Sequence, residues 1–321
     1  MPQPPAASLF SVVIPCYNQA RFLPEAVDSV AAQDFADLEV IIIDDGSPDN
    51  ASEIARSLAG SYPELHIRLI EQTNLGVATA RNAGIAVARG RWIVALDSDD
   101  ILAEGFLASV AEAMEQDPEA TAFTGAYKEF GARESEWRLT RFDPERMKER
   151  GNILCCAPFR RTLWEAVGGY DSSHPWGGED WHFWLKSLSA GLRLVCLPVP
   201  MLHYRIHAGG GMLSGMEQHA EDTVAMLRCM IPSLYSESEL LQAHNRLTCM
   251  DQATEQALRR KIAVHPGLPL PHFWLGLAHE GRGEAEAALG LYATALSRPW
   301  PDAWQARQRL EAMKAKREKE K

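Results

Sequence analysis

The stretch Arg91-Trp92-Ile93-Val94-Ala95-Leu96-Asp97-Ser98-Asp99-Asp100 decides the fold. Its apolar half, Trp92 to Leu96, reads as a buried strand. That strand runs straight into three carboxylates within four positions. An interior does not hold so much negative charge unless something positive sits on it. In an α/β sheet, ligands bind at strand ends. Oxygen ligands suit Mg²⁺ or Mn²⁺, and a nucleotide diphosphate commonly completes such a shell. The residues therefore point to a metal–diphosphate site at Asp97 and Asp99. The competing reading is an acidic turn capping a helix that starts near Ala103, and it applies most strongly to Asp100.

Outward from this stretch, strands and helices alternate at short spacing. Phe10 to Ile14 is an apolar strand broken by Pro15-Cys16-Tyr17-Asn18, and a helix follows from about Phe22 to Gln33. Leu38 to Ile43 is the next strand, its Val-Ile-Ile-Ile run being the pattern of a strand buried on both faces. It ends in the polar turn Asp44-Asp45-Gly46-Ser47-Pro48-Asp49. Ala51 to Gly60 reads as a helix, Leu65 to Ile70 as a third strand, and Ala78 to Ala88 as a helix carrying Arg81 and Asn82. The order β-α-β-α-β-α-β implies parallel strands, right-handed crossovers and helices on both faces. The strand-end polar groups Tyr17-Asn18, Asp44-Asp45, Asn74 and Asp97-Ser98-Asp99 then gather on one edge and meet around one ligand. An N-capping turn before the Ala51 helix is the alternative for Asp44.

The pattern loosens after Asp100. A helix near Gly105 to Gln116 precedes a strand at Thr121 to Phe130, and residues 131–150 read as a charged surface excursion. Asn152 to Pro158 reads as a strand, Arg161 to Val167 as a short helix closed by Gly168-Gly169. The Gly-rich loop with Trp176-Gly177-Gly178-Glu179-Asp180-Trp181 enters a helix at Trp181 to Ala190. Leu192 to Val199 and Leu202 to Arg205 read as two further strands. From about Glu217 the composition turns helical. The segment at about 269–301, with Leu275-Gly276, Gly283, Ala288, Tyr292 and Ala295-Leu296, resembles one tetratricopeptide repeat, with a poorer echo at Cys249 to Pro266. One repeat does not bury its face alone, so it packs on neighbouring helices or on a protein partner.

With 321 residues, the chain accommodates one large and one smaller domain. The division expected is 8–215 for the α/β domain and 216–321 for the helical region. Net charge is −11, which argues against nucleic acid as a main partner. No apolar run reaches the length of a membrane span. Met-Pro-Gln-Pro-Pro shows no basic-then-apolar leader. Six cysteines without a Cys-x-x-Cys pair read as reduced thiols, with Cys155-Cys156 as strand packing. The expectation is a cytoplasmic protein. The tail from Gln305 carries seven Lys/Arg against three Glu; it reads as a solvated helix end, with attachment to the inner membrane face as the minor option.

Four blocks carry a resemblance. Val13-Ile14-Pro15-Cys16-Tyr17-Asn18, Ile43-Asp44-Asp45-Gly46-Ser47-Pro48-Asp49, Asn74-Leu75-Gly76 with Ala80-Arg81-Asn82-Ala83-Gly84, and Leu96-Asp97-Ser98-Asp99-Asp100 resemble family two glycosyltransferases of the GT-A fold, in the family's order and spacing. The resemblance covers residues 10 to about 210. It implies a mostly parallel sheet flanked by helices, and transfer of a sugar with inversion from a nucleotide-diphosphate donor, UDP leading, to an acceptor hydroxyl. By this resemblance Pro15 and Tyr17 contact the nucleoside and Asp45 accepts from a base N–H. Arg81 reaches the donor phosphates or braces the Asp-x-Asp carboxylates. Asp97 lies near the ribose and Asp99 ligates Mn²⁺ (or Mg²⁺). Glu179-Asp180 resembles the family's Glu-Asp motif, making Asp180 the base and Glu179 a holder of donor-sugar hydroxyls, with Trp176 and Trp181 offering flat faces. A downstream histidine completes the metal shell. His203 and His207 are both candidates, and His207 is preferred for the adjoining glycines 209–211, read as a lid. The acceptor is a glycan, a lipid-linked molecule or a protein.

Two other classes compete. A nucleotidyltransferase that builds sugar nucleotides needs a Gly-rich, basic loop after its first strand; the loop here, Pro15-Cys16-Tyr17-Asn18-Gln19-Ala20, has no glycine. A silent scaffold working through its helical repeat has no use for intact Asp-x-Asp and Glu-Asp motifs.

Overall fold

The computed structural model describes residues 9–33, 35–208, 219–300 and 303–319. Its contacts divide the chain into two units: residues 1–172 with 179–211, and residues 173–178 with 212–321. The break at 211/212 falls close to the 215/216 expected, but the segment 173–178 groups with the helical unit.

The first unit is built on one mixed sheet, nine-stranded among the described residues, in the order β3-β2-β1-β4-β8-β6-β9-β5, with β7 paired to β6. Here β1 is Phe10–Cys16, β2 Leu38–Asp44, β3 Arg68–Glu71, β4 Trp92–Ala95, β5 Ile101–Leu102, β6 Ala122–Gly131, β7 Ser135–Trp137, β8 Phe159–Arg160 and β9 Leu194–Ile206. Strands β3, β2, β1 and β4 are parallel, as expected for apolar runs covered on both faces. Helices α1 (Leu23–Ala31), α2 (Ala51–Ser61) and α3 (Val77–Val87) are the crossovers. The remaining helices of this unit are α4 (Phe106–Gln116), α5 (Pro144–Glu149), α6 (Arg161–Val167) and α7 (Glu179–Ser189).

Strand β1 does not break at Pro15; it pairs in register to Cys16↔Asp44. Val13 accepts from the Leu96 N–H, so it faces β4, and Pro15 faces the same side two residues on. Strand β4 has ended at Ala95 by then, so no ladder bond asks for the missing N–H of Pro15. Four other expectations change. The third strand starts at Arg68, after a 3-10 turn at Pro63–Leu65. Residues 131–150 fold into β7 and α5. Residues 152–158 form turns rather than a strand, so Cys155 and Cys156 are buried in a loop. The two strands expected between Leu192 and Arg205 are one, β9; register shifts around Ala126 absorb the prolines, Pro200 pairing with Ala126.

Helix α3 lies close on the sheet because Gly84 lets it. A Cβ there would stand 2.5 Å from Val13 Cγ1 and 2.6 Å from Ile43 Cδ1. That close approach sets the height of Arg81, one turn earlier on the same helix.

In the second unit, α8 (Ala220–Met230), α9 (Glu237–Thr248), α10 (Gln252–Val264), α11 (Pro269–Gly281), α12 (Ala285–Leu296) and α13 (Ala303–Lys319) follow one another. Ser236 and Glu239 form a capping box at α9, and Asp251 caps α10. The segment read as a repeat is the α11–α12 hairpin, where Gly276 lies against the Tyr292 ring. It packs on α9, α10 and α13, which cover the face one hairpin leaves open. The echo expected at 249–266 is a single helix, α10. All six cysteines are free. Among the described residues no helix is long and apolar enough to cross a membrane.

Gly84→Val should lower unfolding stability by about 1–3 kcal/mol through overpacking. Gly60→Ala, on an exposed position of α2 with open space around it, should raise it by up to about 1 kcal/mol. Urea midpoints of the two variants read the opposite signs.

Candidate active site

At the end of β4 the chain turns sharply, with the Asp100 N–H donating to the Asp97 carbonyl. This turn does not cap a helix: α4 begins at Phe106 behind Gly105, after β5 has intervened. The three acids are instead held separately. Asp97 Oδ1 accepts from Arg81 Nη2 at 2.6 Å, and Cys155 donates its thiol to Asp97 Oδ2 at 3.4 Å. Asp99 Oδ2 accepts from Gln19 Nε2 at 2.8 Å and stands 2.7 Å from His207 Nε2. The Ser98 hydroxyl donates to Gln19 Oε1 at 2.6 Å. Asp100, 2% exposed, accepts from the Arg205 N–H. Burial, with Asp97 and Asp99 beside it, pushes its carboxyl well above the usual range.

Arg81 joins this loop to the second acidic motif. Its Nη1 donates to Glu179 Oε1 at 2.6 Å, so one guanidinium, 1% exposed, grips residues 16 and 98 positions away. Burial works against its charge, and Asp97, with Glu179, holds it charged. Of the two roles open to Arg81, bracing the carboxylates is the one the geometry displays. Neighbouring Asn82 is equally committed. It donates to the Tyr170 carbonyl and accepts from Trp164 Nε1 and the Tyr170 N–H, tying α3 to the segment after α6.

Glu179 and Asp180 open helix α7. Two glycines precede them with φ of +103° at Gly177 and +90° at Gly178, values that L side chains rarely adopt. Asp180 Oδ1 accepts from the Trp181 N–H at 2.7 Å. The residue keeps part of its surface open. Burial, then the charge of Glu179, pushes its pKa up to about 7, against the opposing pull of Arg81. Glu179 is 5% exposed and spends Oε1 on Arg81.

The two tryptophans depart from expectation. Trp176 stacks on His219 with centroids 4.3 Å apart and donates its N–H to Thr223 Oγ1, so its ring is engaged within the helical unit. Trp181 is 7% exposed and donates to the Met147 carbonyl; it is core, not an open face.

On the nucleoside side, Tyr17 is 48% exposed at the end of β1, beyond buried Pro15. Asn18 is exposed with φ +56°, and its N–H donates to Ser47 Oγ. Asp45 Oδ1 accepts from Gln72 Nε2 and the Leu75 N–H, and Oδ2 from the Gly76 N–H. A carboxylate has about four lone-pair sites, so these three bonds leave Oδ2 one unfilled, in a residue 3% exposed. Exposed Asn74 lies in the loop these bonds hold. Asp44 closes the turn before α2, accepting from the Ser47 N–H and the Ser52 hydroxyl; it does not cap the helix, whose N-cap is Asn50.

A divalent cation fits the donor set at Asp99. The carboxylate and the His207 imidazole converge within 2.7 Å, amid further acids that want positive charge. His203 lies earlier on β9, in register with Ile101 of β5. The glycines 209–211 lie outside the described residues.

Comparison with known proteins gives the family and the fold. Residues 11–168 match the family described as Glycosyl transferase family 2. The "PGL/p-HBAD biosynthesis glycosyltransferase" of Mycobacterium bovis (strain BCG / Pasteur 1173P2) is 35% identical over 190 residues, 57% of this chain and 71% of that protein. The chain belongs to glycosyl transferase family 2. Among solved structures, S. aureus TarS 1-349 in complex with UDP-GlcNAc superposes with TM-score 0.55 at 18% identity, covering 91% of this chain and 93% of that one. Mannosyltransferase PcManGT from Pyrobaculum calidifontis, in complex with GDP-Man and Mn²⁺, gives 0.52 at 20% identity, covering 98% and 86%. These likenesses establish the GT-A type of fold. The chain spans only 26–40% of the length of several other curated relatives it matches.

For a family 2 glycosyltransferase, the site contains three residues that the sequence motifs did not single out. Gln19 bridges Ser98 and Asp99 from the loop after β1. Arg205 donates Nε to the Asp99 carbonyl at 2.8 Å while lying over the rings of Phe22 and Phe130 at 4.5 and 4.4 Å. Cys155 donates to Asp97. Neutral amides and thiols in loops carry no periodic signal. Gln19 directly follows the candidate Asn18, and Arg205 lies between the candidates His203 and His207.

Arg81→Met should lower stability by about 3–5 kcal/mol, because it strands the buried Glu179 carboxylate and unpairs the part-buried Asp97. Adding Glu179→Gln should restore part of that loss. A double-mutant cycle by chemical denaturation measures the coupling.

Proposed function

We propose that the chain transfers a glycosyl unit from a nucleoside-diphosphate sugar, UDP leading, to an acceptor hydroxyl in a single in-line displacement with inversion, using Mn²⁺ (or Mg²⁺). The observation that carries this reading is the Arg81 bridge, which makes the strand-end acids and the Glu179-Asp180 pair one site. The donor complexes of the two structural neighbours, UDP-GlcNAc in TarS and GDP-Man with Mn²⁺ in PcManGT, support the donor class and leave the base and sugar of this chain's donor open. Asp99 and His207 would hold the cation; when bound, it supplies Lewis-acid stabilisation of the charge that develops on the diphosphate.

The rest of the chemistry falls to the chain's own groups. Tyr17 offers a ring to the base and Asp45 Oδ2 an acceptor to its N–H. Asp97, braced by Arg81, presents its remaining surface to the ribose, with Asn18 and Asn74 exposed on the same edge and buried Ser98 behind it, bonded to Gln19. The acceptor oxygen forms its bond to the anomeric carbon as the bond to the diphosphate oxygen breaks. Asp180 takes the hydroxyl proton in that step. Attack from the face opposite the leaving group needs one base and no covalent intermediate. A base with a pKa near the working pH is well matched to that task.

The sign of the pH dependence follows. Asp180 must be ionised to accept a proton, so kcat/KM should rise with pH and level off above about 7. Asp180→Asn should keep donor binding and lower kcat by ~10²–10⁴-fold. Stability runs the other way. A carboxyl whose folded pKa lies above its unfolded value stabilises fully below about pH 4 and loses that contribution as pH rises through the folded value. Asp180→Asn should therefore melt above the wild type at pH 8, the gap closing towards pH 4. Equal turnover in the variant would overturn the base assignment.

The metal shell separates by thermal shift with Mn²⁺ and UDP-sugars, since a donor must stabilise the folded state it binds. Asp99→Ala should abolish the Mn²⁺-dependent shift. His207→Ala should weaken Mn²⁺ by more than the ~10–100-fold typical of outer partners of a metal site, and His203→Ala should leave it unchanged.

A further inference from the structure

The hairpin β6–β7 carries an aromatic surface that the donor site leaves unused. Tyr127 and Trp137 face each other across the strands. Their rings are near parallel at 14°, with centroids 6.4 Å apart. Trp137 is 47% exposed, one of the few large apolar side chains so open. Tyr204 meets the Tyr127 edge at 6.3 Å and 78°. It sits on β9, whose neighbouring residue His203 is in register with Ile101 just past the acidic turn. Three residues further, His207 reaches Asp99. The row of rings thus runs from the rim of the sheet to the reaction centre. The Tyr204 hydroxyl is within electrostatic reach of Asp97, Asp100 and Asp180; burial first, then those charges, raises its pKa.

Polar groups frame the rings in a fixed arrangement. Glu129, 6% exposed, is held by Arg133 through two bonds of 2.8 and 2.7 Å and by the Ser135 hydroxyl. Trp137 donates to Ser135 Oγ at 2.9 Å, which fixes the indole plane. A cross-strand aromatic pair stabilises a hairpin, but that role does not require the outer ring to stay half open, nor the row to lead to the acids. A flat apolar face bordered by a carboxylate and a guanidinium matches a pyranose ring, which has one face of C–H groups and an equatorial belt of hydroxyls.

We propose that Trp137, Tyr127 and Tyr204 form an acceptor subsite that stacks a glycosyl unit of the acceptor, with the exposed guanidinium of Arg133, oriented by Glu129, bonding its hydroxyls. The acceptor class is then a glycan or a glycan-bearing molecule, not a bare peptide. This rests on the transferase reading for its place in the reaction, but the binding itself does not.

The probe is an immobilised array of neutral and amino-sugar oligosaccharides of two to six rings, exposed to the full chain with Mn²⁺. Calorimetry with the tightest free oligosaccharide follows. Binding should be present in the wild type, weaker by about tenfold or more in Trp137→Ala, and recovered in Trp137→Phe. The Mn²⁺ and UDP-sugar thermal shift should be the same in all three proteins. Absence of any glycan binding, or equal affinity in Trp137→Ala, overturns the subsite. Loss of the donor shift in the wild type with glycan binding intact overturns the transferase reading and leaves the subsite standing.

Discussion

Arg81 holds two carboxylates at 2.6 Å each while almost wholly out of water. Burying Arg81 and Glu179 costs several kcal/mol apiece, and only close pairing, with part-buried Asp97 as the third member, offsets it. The guanidinium suits this position because its planar fork offers donors in two fixed directions; an ammonium does not span Asp97 and Glu179 with the same rigidity. The bridge places the end of β4, the face of α3 and the start of α7 in one frame. The height of α3 is set in turn by Gly84 against Val13 and Ile43. The site thus depends on a backbone approach that no charged residue contributes to.

The charges do not balance. Asp97, Asp99, Asp100, Glu179 and Asp180 gather with Arg81 and Arg205 as the strong cations bonded among them. The protein answers the excess in two ways. Asp100 and Asp180 are pushed towards their neutral forms by burial and by neighbouring acids. Asp99 is left with a neutral amide and an imidazole, the partners that a cation displaces or shares most readily. On the proposed reading, burial together with this excess raises Asp180, and the same excess would favour a divalent ion at Asp99.

Much of the fold was legible because parallel strands buried on both faces write themselves as unbroken apolar runs. Val40 to Ile43 and Trp92 to Leu96 carry no ambiguity once the helices between them are seen. The later half was harder for physical reasons. Pro198 and Pro200 look like breaks, yet a bulge against β6 lets one strand continue. Ile153 to Ala157 is as apolar as a strand but is buried in a turn, where Cys155 meets Asp97. The motifs found the acids and Arg81. They could not find Gln19, a neutral side chain in a turn, nor foresee that Trp176 would be taken up by His219, which lies far along the chain. Contacts made by single side chains from loops leave no period to read.

The proposed donor and acceptor sides are built differently. The donor edge is nearly saturated with hydrogen bonds. Asp45 uses three of its acceptor sites on the loop before α3, and Asn82 fills both acceptor sites and one donor behind it. Such a surface tolerates little change, since each lost partner leaves a buried polar group unpaired. The β6–β7 hairpin is the opposite case. Its outer strand β7 hangs on β6 alone, and the exposed Trp137 ring and the Arg138–Glu136 ion pair are replaceable without stranding a buried group. A transferase fixed on its nucleotide and free in its acceptor needs this asymmetry: a rigid sheet edge for the invariant half of the reaction, and a hairpin that mutation can reshape for the other half.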